Sequence, residues 1–199
     1  MKKDIILAGV GGQGILSIAT VIGEAALAEG LYLKQAEVHG MSQRGGDVQS
    51  NLRLSSTPIY SDLIPLGSAD IVISLEPMES LRYVRYLKPD GWIVSSNIPF
   101  VNIPDYPPLE DVLATIEQVP HHVLLDVESL AKSAGAPQQA SNMVLLGAAV
   151  PMLGIDLDKI IAGARSVFSR KGEEIVEKNT AALLAGYRLS ANNTAAMSL

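Results

Sequence analysis

The sequence predicts an α/β fold: a three-layer α/β/α arrangement with a mostly parallel sheet, a Rossmann-like start, an antiparallel hairpin and long C-terminal helices. Three observations predict it. Apolar runs of strand length alternate with segments of helical period as far as residue 127. A glycine cluster, Gly9-Val10-Gly11-Gly12-Gln13-Gly14, separates the first such run from the first helical segment. From residue 128 onward the period is helical, so the chain closes with helices instead of further strands.

Ile5 to Ala8 form an unbroken apolar run, as a strand buried on both faces requires. From Ile15 to Glu29 the apolar positions Ile15, Ile18, Ile22 and Ala25 recur at helical spacing, and Gly30 ends the helix. Leu31 to Val38 read as the second strand. His39 to Asp47 form a polar, glycine-rich loop. Val48 to Leu54 and Ile59-Tyr60 flank Ser55-Ser56-Thr57-Pro58 and predict a hairpin.

Ile71 to Leu75 are a buried strand, and Glu76-Pro77 open a helix expected to reach Leu87. Tyr83, Arg85 and Tyr86 are expected on its solvated face. Lys88-Pro89-Asp90-Gly91 is a turn before the strand Trp92 to Val94. Asn97 to Pro108, with four prolines, is irregular; Leu109 to Val119 is helical and Val123 to Val127 a strand. Helical segments follow at about 128–134, 138–153, 157–168 and 173–188. The chain is thus one domain over 1–189, with 190–199 a small, polar and flexible tail.

Composition excludes several classes. Of 199 residues, 48% are hydrophobic and 18% charged, and the mean hydropathy is +0.25, so intrinsic disorder is excluded. A net charge of −6 lacks the basic footprint that nucleic-acid binding needs. With no cysteine, the chain supplies neither disulfide nor iron–sulfur ligand. Residues 5–23 are apolar enough to suggest a leader or a membrane span, but Asp4 and the glycines at 9, 11, 12 and 14 argue against both. The expectation is a soluble, cytoplasmic protein. The positive hydropathy also suggests apolar surface for a partner, or for a second copy in isolation.

Two stretches concentrate chemistry. Gly9, Gly11 and Gly14 have the dinucleotide spacing after a strand and before a helix, where backbone N–H groups attract phosphate; a tight crossover packed on the sheet needs the same glycines. Glu37, ending the second strand, is placed to grip a ribose. The loop from Glu37 through His39, Gly40, Ser42, Gln43 and Arg44 to Gly45 and Gly46 gathers a carboxylate, an imidazole, a hydroxyl, an amide and a guanidinium. Arg44 offers a planar fork for phosphate or carboxylate, and His39 an acid or base near neutrality. An ordered surface loop whose groups satisfy one another is the alternative. Glu76 reaches the same edge, or favours its helix N-terminus; Asn142 bonds the central loops, or caps its helix. His121 and His122 point to opposite strand faces, so no metal site is expected.

Gly9 to Gly14 together with Glu37-Val38-His39-Gly40-Met41-Ser42-Gln43-Arg44-Gly45-Gly46 resemble the gamma-type domain of the 2-oxoacid:ferredoxin oxidoreductases, in the form found in the indolepyruvate branch. Ser74 to Glu79, Leu87-Lys88-Pro89 and Asn142-Met143 also fit that family, and the resemblance spans about residues 3–188. It implies an accessory subunit, with no cofactor of its own, beside a large alpha subunit. That partner would carry thiamine diphosphate, magnesium and 4Fe-4S clusters. The implied reaction takes a 2-oxoacid, an arylpyruvate above all, with CoA to acyl-CoA, CO₂ and reduced ferredoxin. The resemblance also puts this domain on the CoA side of the enzyme. Two other readings remain open from the residues: a stand-alone NAD-dependent Rossmann-type oxidoreductase, and a non-catalytic α/β scaffold.

Overall fold

β1 (Lys2–Val10) is the strand on which the sheet is built, because it is paired along both edges. Its side chains alternate: Ile5 and Leu7 enter the core on one face, Ile6 and Ala8 that on the other. A computed structural model of the chain describes residues 1–39, 46–101 and 103–197. After β1 come α1 (Ile15–Ala28), β2 (Tyr32–His39), β3 (Asp47–Ser55), β4 (Ala69–Ser74), α2 (Pro77–Arg82) and β5 (Leu87–Ser96). Then follow α3 (Leu109–Glu117), β6 (His122–Leu125), α4 (Val127–Ser133), α5 (Ser141–Leu153), α6 (Leu157–Phe168) and α7 (Glu173–Met197).

The described strands form one mixed sheet in the order β2-β3-β1-β4-β5-β6. β1, β4, β5 and β6 are parallel, and β3 runs against both β1 and β2. The predicted three-layer class is therefore observed. Its hairpin is not the expected one. β3 takes β1 on one edge and β2 on the other, so no edge is free for Ile59-Tyr60, and Tyr60 is 92% exposed. The antiparallel neighbours consecutive in the chain are β2 and β3.

Three other boundaries differ from expectation. α2 stops at Arg82, and a single 3-10 turn, Val84–Tyr86, leads straight into β5. Tyr83, expected in solvent, is buried against Ile93 and Val112 instead. Lys88 to Gly91 belong to β5 as an irregularity: pairing passes from Ala69–Leu87 to Ile71–Trp92. Finally, α7 does not end near 188. Ser190 is fully buried and the helix continues to Met197, so at Ser190 tertiary burial outweighs the weak propensity of Ser.

The two faces are covered unequally. α1 and α4 to α7 lie over one face, with α5 buried on almost every side; α2 and α3 cover β1, β4 and β5 on the other. No helix among the described residues is long and apolar enough to cross a membrane. At the β6–α4 junction Asp126 caps α4, accepting from Ser129 N at 2.8 Å and Ser129 Oγ at 2.7 Å. Those bonds hold its carboxyl below the usual range. A folded pKa below the unfolded one means stabilisation that is complete at neutrality and is lost as pH falls through the folded value. Asp126→Ala is expected to cost about 1 kcal/mol at pH 7. The stability gap between the two proteins, read by denaturant titration, should narrow as pH falls through the folded value; a gap independent of pH would refute the assignment.

Candidate functional site

Helices leave the sheet toward opposite faces after β1 and after β4, and these strands are neighbours. Such a point opens a crevice at the carboxyl edge, the usual ligand position in open α/β sheets. Here it becomes a cavity of about 740 Å³, walled by the segments that follow β1, β4, β5 and β6 and by the start of α5. Gln13 spans the switch point: Val10 N donates to its Oε1 at 2.7 Å, and its Nε2 donates to Leu75 O at 3.2 Å.

The glycines divide by role. A Cβ on Gly9 would lie 2.9 Å from Gln13 Oε1, so Gly9 serves the folding of the turn itself. Gly14 has φ 87° and begins α1; a Cβ there would lie 2.6 Å from Asn142 Nδ2, which donates to Gly14 O at 3.2 Å. Gly12 and Gly14 both need the left-handed conformation and line the cavity, but only Gly12, at φ 104°, has open space where a Cβ would stand. No described side chain caps α1, and Gly14 and Ser17 at its start line the cavity.

Asn142 is 6% exposed, and its Oδ1 has no hydrogen-bond partner among the described residues. A buried acceptor left unmatched is costly, and its residue lines the cavity. Both sequence-level possibilities for Asn142 are thereby decided: it bonds the glycine turn and does not cap its own helix. Opposite lie Ile98, Pro99 and Phe100 after β5, and Phe168, Lys171 and Ile175 before and within α7. Lys171 Nζ rests 5.5 Å from the centre of the Phe168 ring. The chain's two phenylalanines thus meet in one cavity, a convergence that nothing in their sequence neighbourhoods signals.

Glu76 does not reach the cavity. It is 1% exposed and caps α2, accepting from Glu79 N at 2.7 Å; its Oε1 also accepts from Phe100 N at 3.3 Å and from the Tyr106 hydroxyl. Burial, and then this bond, push the Tyr106 phenol up. Glu37 is also remote. It is exposed on the edge strand β2, its Oε1 held by Gln35 Nε2 at 2.7 Å. Because β3 lies between β2 and β1, it is two strand spacings, roughly 10 Å, from the glycine turn. The ribose grip of a dinucleotide site, with β2 beside β1, is not built here.

The second motif is described only at its ends. His39 pairs with Val48 through the backbone, and Gly46 O accepts from Gly11 N at 2.8 Å, which ties Gly46 to the glycine turn. Gly40, Ser42, Gln43, Arg44 and Gly45 lie outside the described residues. Sequence reasoning missed Ser17, Phe100, Lys171 and Asn179, all of which line the cavity.

Residues 4–189 match the Pyruvate ferredoxin/flavodoxin oxidoreductase family along nearly the whole sheet and its helices. The chain belongs to that family. Within it, indolepyruvate oxidoreductase subunit IorB of Pyrococcus horikoshii is 39% identical over 166 residues, 79% of this chain and 81% of that protein. IorB of Archaeoglobus fulgidus is 31% identical over 196 residues, 94% of each. The fold is shared with 2-oxoglutarate:ferredoxin oxidoreductase from Magnetococcus marinus, solved with 2-oxoglutarate, coenzyme A and succinyl-CoA (TM-score 0.76, 23% identity). That match takes 96% of this chain but 31% of the other, so there the fold is one part of a longer polypeptide. The gamma subunit of a keto/oxoacid ferredoxin oxidoreductase from Geobacter sulfurreducens matches over 96% of this chain and 99% of its own (TM-score 0.69, 23% identity).

Proposed function

We propose that this chain is the small subunit of an arylpyruvate:ferredoxin oxidoreductase, with indolepyruvate the preferred substrate, and that its crevice holds CoA. The observation that carries the reading is the buried, unmatched Asn142 Oδ1 beside the uncapped start of α1. The α1 N-terminus and Lys171 suit a phosphate, the walls around Ile98, Phe100 and Phe168 suit an apolar arm, and Asn142 Oδ1 suits an amide N–H. CoA carries all three. Relatives that are subunits of indolepyruvate oxidoreductases support the substrate class.

In the net reaction the carboxylate of the 2-oxoacid leaves as CO₂, the acyl carbon joins the CoA sulfur as the thiol releases its proton, and two electrons pass to ferredoxin. Thiamine diphosphate with magnesium, and 4Fe-4S clusters, all on a large partner subunit, supply the decarboxylation and the electron path. This chain has no cysteine for a cluster, so its contribution is to bind and orient CoA. Arg44 belongs to the same task, contacting a CoA phosphate or a carboxylate of the partner.

The test is a reconstituted complex with acceptor reduction as the assay. The small subunit alone is expected to be colourless and inactive. Lys171→Gln and Arg44→Lys are each expected to raise KM for CoA roughly 10-fold, the scale of one charge-assisted hydrogen bond, with KM for the 2-oxoacid and the melting temperature unchanged. Acceptor reduction by the small subunit freed of partner, or CoA kinetics indifferent to both substitutions, would sink the reading.

A further inference from the structure

Glu76 and Tyr106 lie outside the cavity, yet both hold the segment that forms one of its walls. Among the described residues the segment after β5 is anchored at its start, where Asn97 N donates to Leu125 O at 3.0 Å and Ile98 N to Ser96 Oγ at 3.0 Å. Beyond these it carries Phe100 and Val101, which are 42% and 67% exposed. An apolar segment facing water stays in place only if something polar restrains it. The Glu76 carboxylate does so from beneath, with one oxygen on Glu79 N and the other shared by Phe100 N and the Tyr106 hydroxyl. Tyr106 packs its ring among the residues around Ile93 and Val112, which fixes the hydroxyl. Leu75, adjoining Glu76, accepts from Gln13, so both walls of the crevice are hung from one short stretch.

We propose that Tyr106 and Glu76 are positioning residues: by fixing Phe100 they set the width of the crevice against the Gly12 turn, and hence the affinity for CoA. This rests on the reading of the crevice as the CoA site. The two oxygens of Glu76 make the role separable from capping. Tyr106→Phe removes the hydroxyl that shares Oε1 with Phe100 N and leaves the α2 cap at Oε2 intact. Glu76→Gln keeps the shape, removes the charge, and weakens both.

Two measurements test it. Amide exchange in the purified full chain reads the wall directly: in Tyr106→Phe the Phe100 amide is expected to exchange roughly 10-fold faster, because Glu76 Oε1, which accepts from Phe100 N, is then no longer held by the charge-assisted bond from the Tyr106 hydroxyl, and the loss of such a bond shifts a local equilibrium by about that factor. In the complex, KM for CoA should rise about 5- to 10-fold while kcat and KM for the 2-oxoacid hold, and Glu76→Gln should follow in the same direction. A melting temperature close to wild type for Tyr106→Phe separates this from a merely structural role. Unchanged Phe100 exchange overturns the proposal, and so does faster exchange with unchanged KM for CoA. Failure of the underlying reading looks different: Lys171→Gln, which leaves Glu76 and Tyr106 untouched, would then also leave KM for CoA unchanged, whatever the exchange of Phe100.

Discussion

Gly147→Ala is expected to lower the melting temperature by about 6–12 °C, or to prevent folding, and Gly186→Ala to do the same. The two glycines face each other across the crossing of α5 and α7. A Cβ on Gly147 would lie 2.8 Å from the Leu183 carbonyl carbon, 3.0 Å from Tyr187 N and closer still to Leu183 O. One on Gly186 would meet Val144 and Ala148 in the same way. Helix propensity works the other way, since Gly→Ala in a helix gains up to about 1 kcal/mol. The clash wins because its partner is backbone, which no rotamer change can move. Relief requires the helices to separate, and dispersion is then lost along the whole crossing. A cost of about 3 kcal/mol or more follows, at the upper end of core overpacking, with 2–4 °C per kcal/mol for a domain of this size. The double variant should cost less than the sum, because one separation relieves both clashes. A melting temperature within about 2 °C of wild type for either single variant would show that the helices do not approach this closely.

Arg53→Met is the second large effect, an expected loss of about 3–5 kcal/mol. Asp4 is 1% exposed inside the sheet, and Arg53 grips both its oxygens, Nε at 2.7 Å and Nη2 at 3.1 Å. Lys2, the other cation at 3.2 Å, is mostly in solvent and cannot replace that fork. Arg53 Nη1 also donates to Ser61 O at 3.0 Å and Leu63 O at 2.9 Å, so the segment between β3 and β4 loses its anchor too. The pair is costly to break and need not be stabilising as a whole. Asp4→Leu combined with Arg53→Met should therefore recover much of the loss. Chemical denaturation of the three variants measures it; a single-variant loss under about 1 kcal/mol would contradict the burial of the pair.

Asp4 also illustrates how far local reading reaches. As a charge at the head of an apolar run it argues against a leader or a membrane span, and nothing near it in the chain identifies Arg53, 49 positions away, as its partner. The hairpin is a comparable case. The alternation in Val48 to Leu54 is legible and identifies a strand, but both flanking segments offer apolar residues, and the choice between them is made by the edges left open once β1 has taken its place. In α7 the polar residues after Leu189 argue for fraying, and burial of Ser190 reverses the outcome.

By itself the sequence determined the alternation of strands and helices, the three-layer class, the glycine turn after the first strand and the family. Each of these is written in period, turn chemistry or contiguous motif, which neighbouring residues encode. Only the tertiary structure decided that Glu37 stands apart from the glycine turn, that Glu76 supports a wall instead of facing a ligand, and that Asn142 bonds Gly14. It also brought Phe100 and Phe168 into one cavity with the glycine turn. Those outcomes depend on strand order and on which faces the helices cover. They are fixed by burial of the whole apolar surface at once, and no local window of sequence contains them.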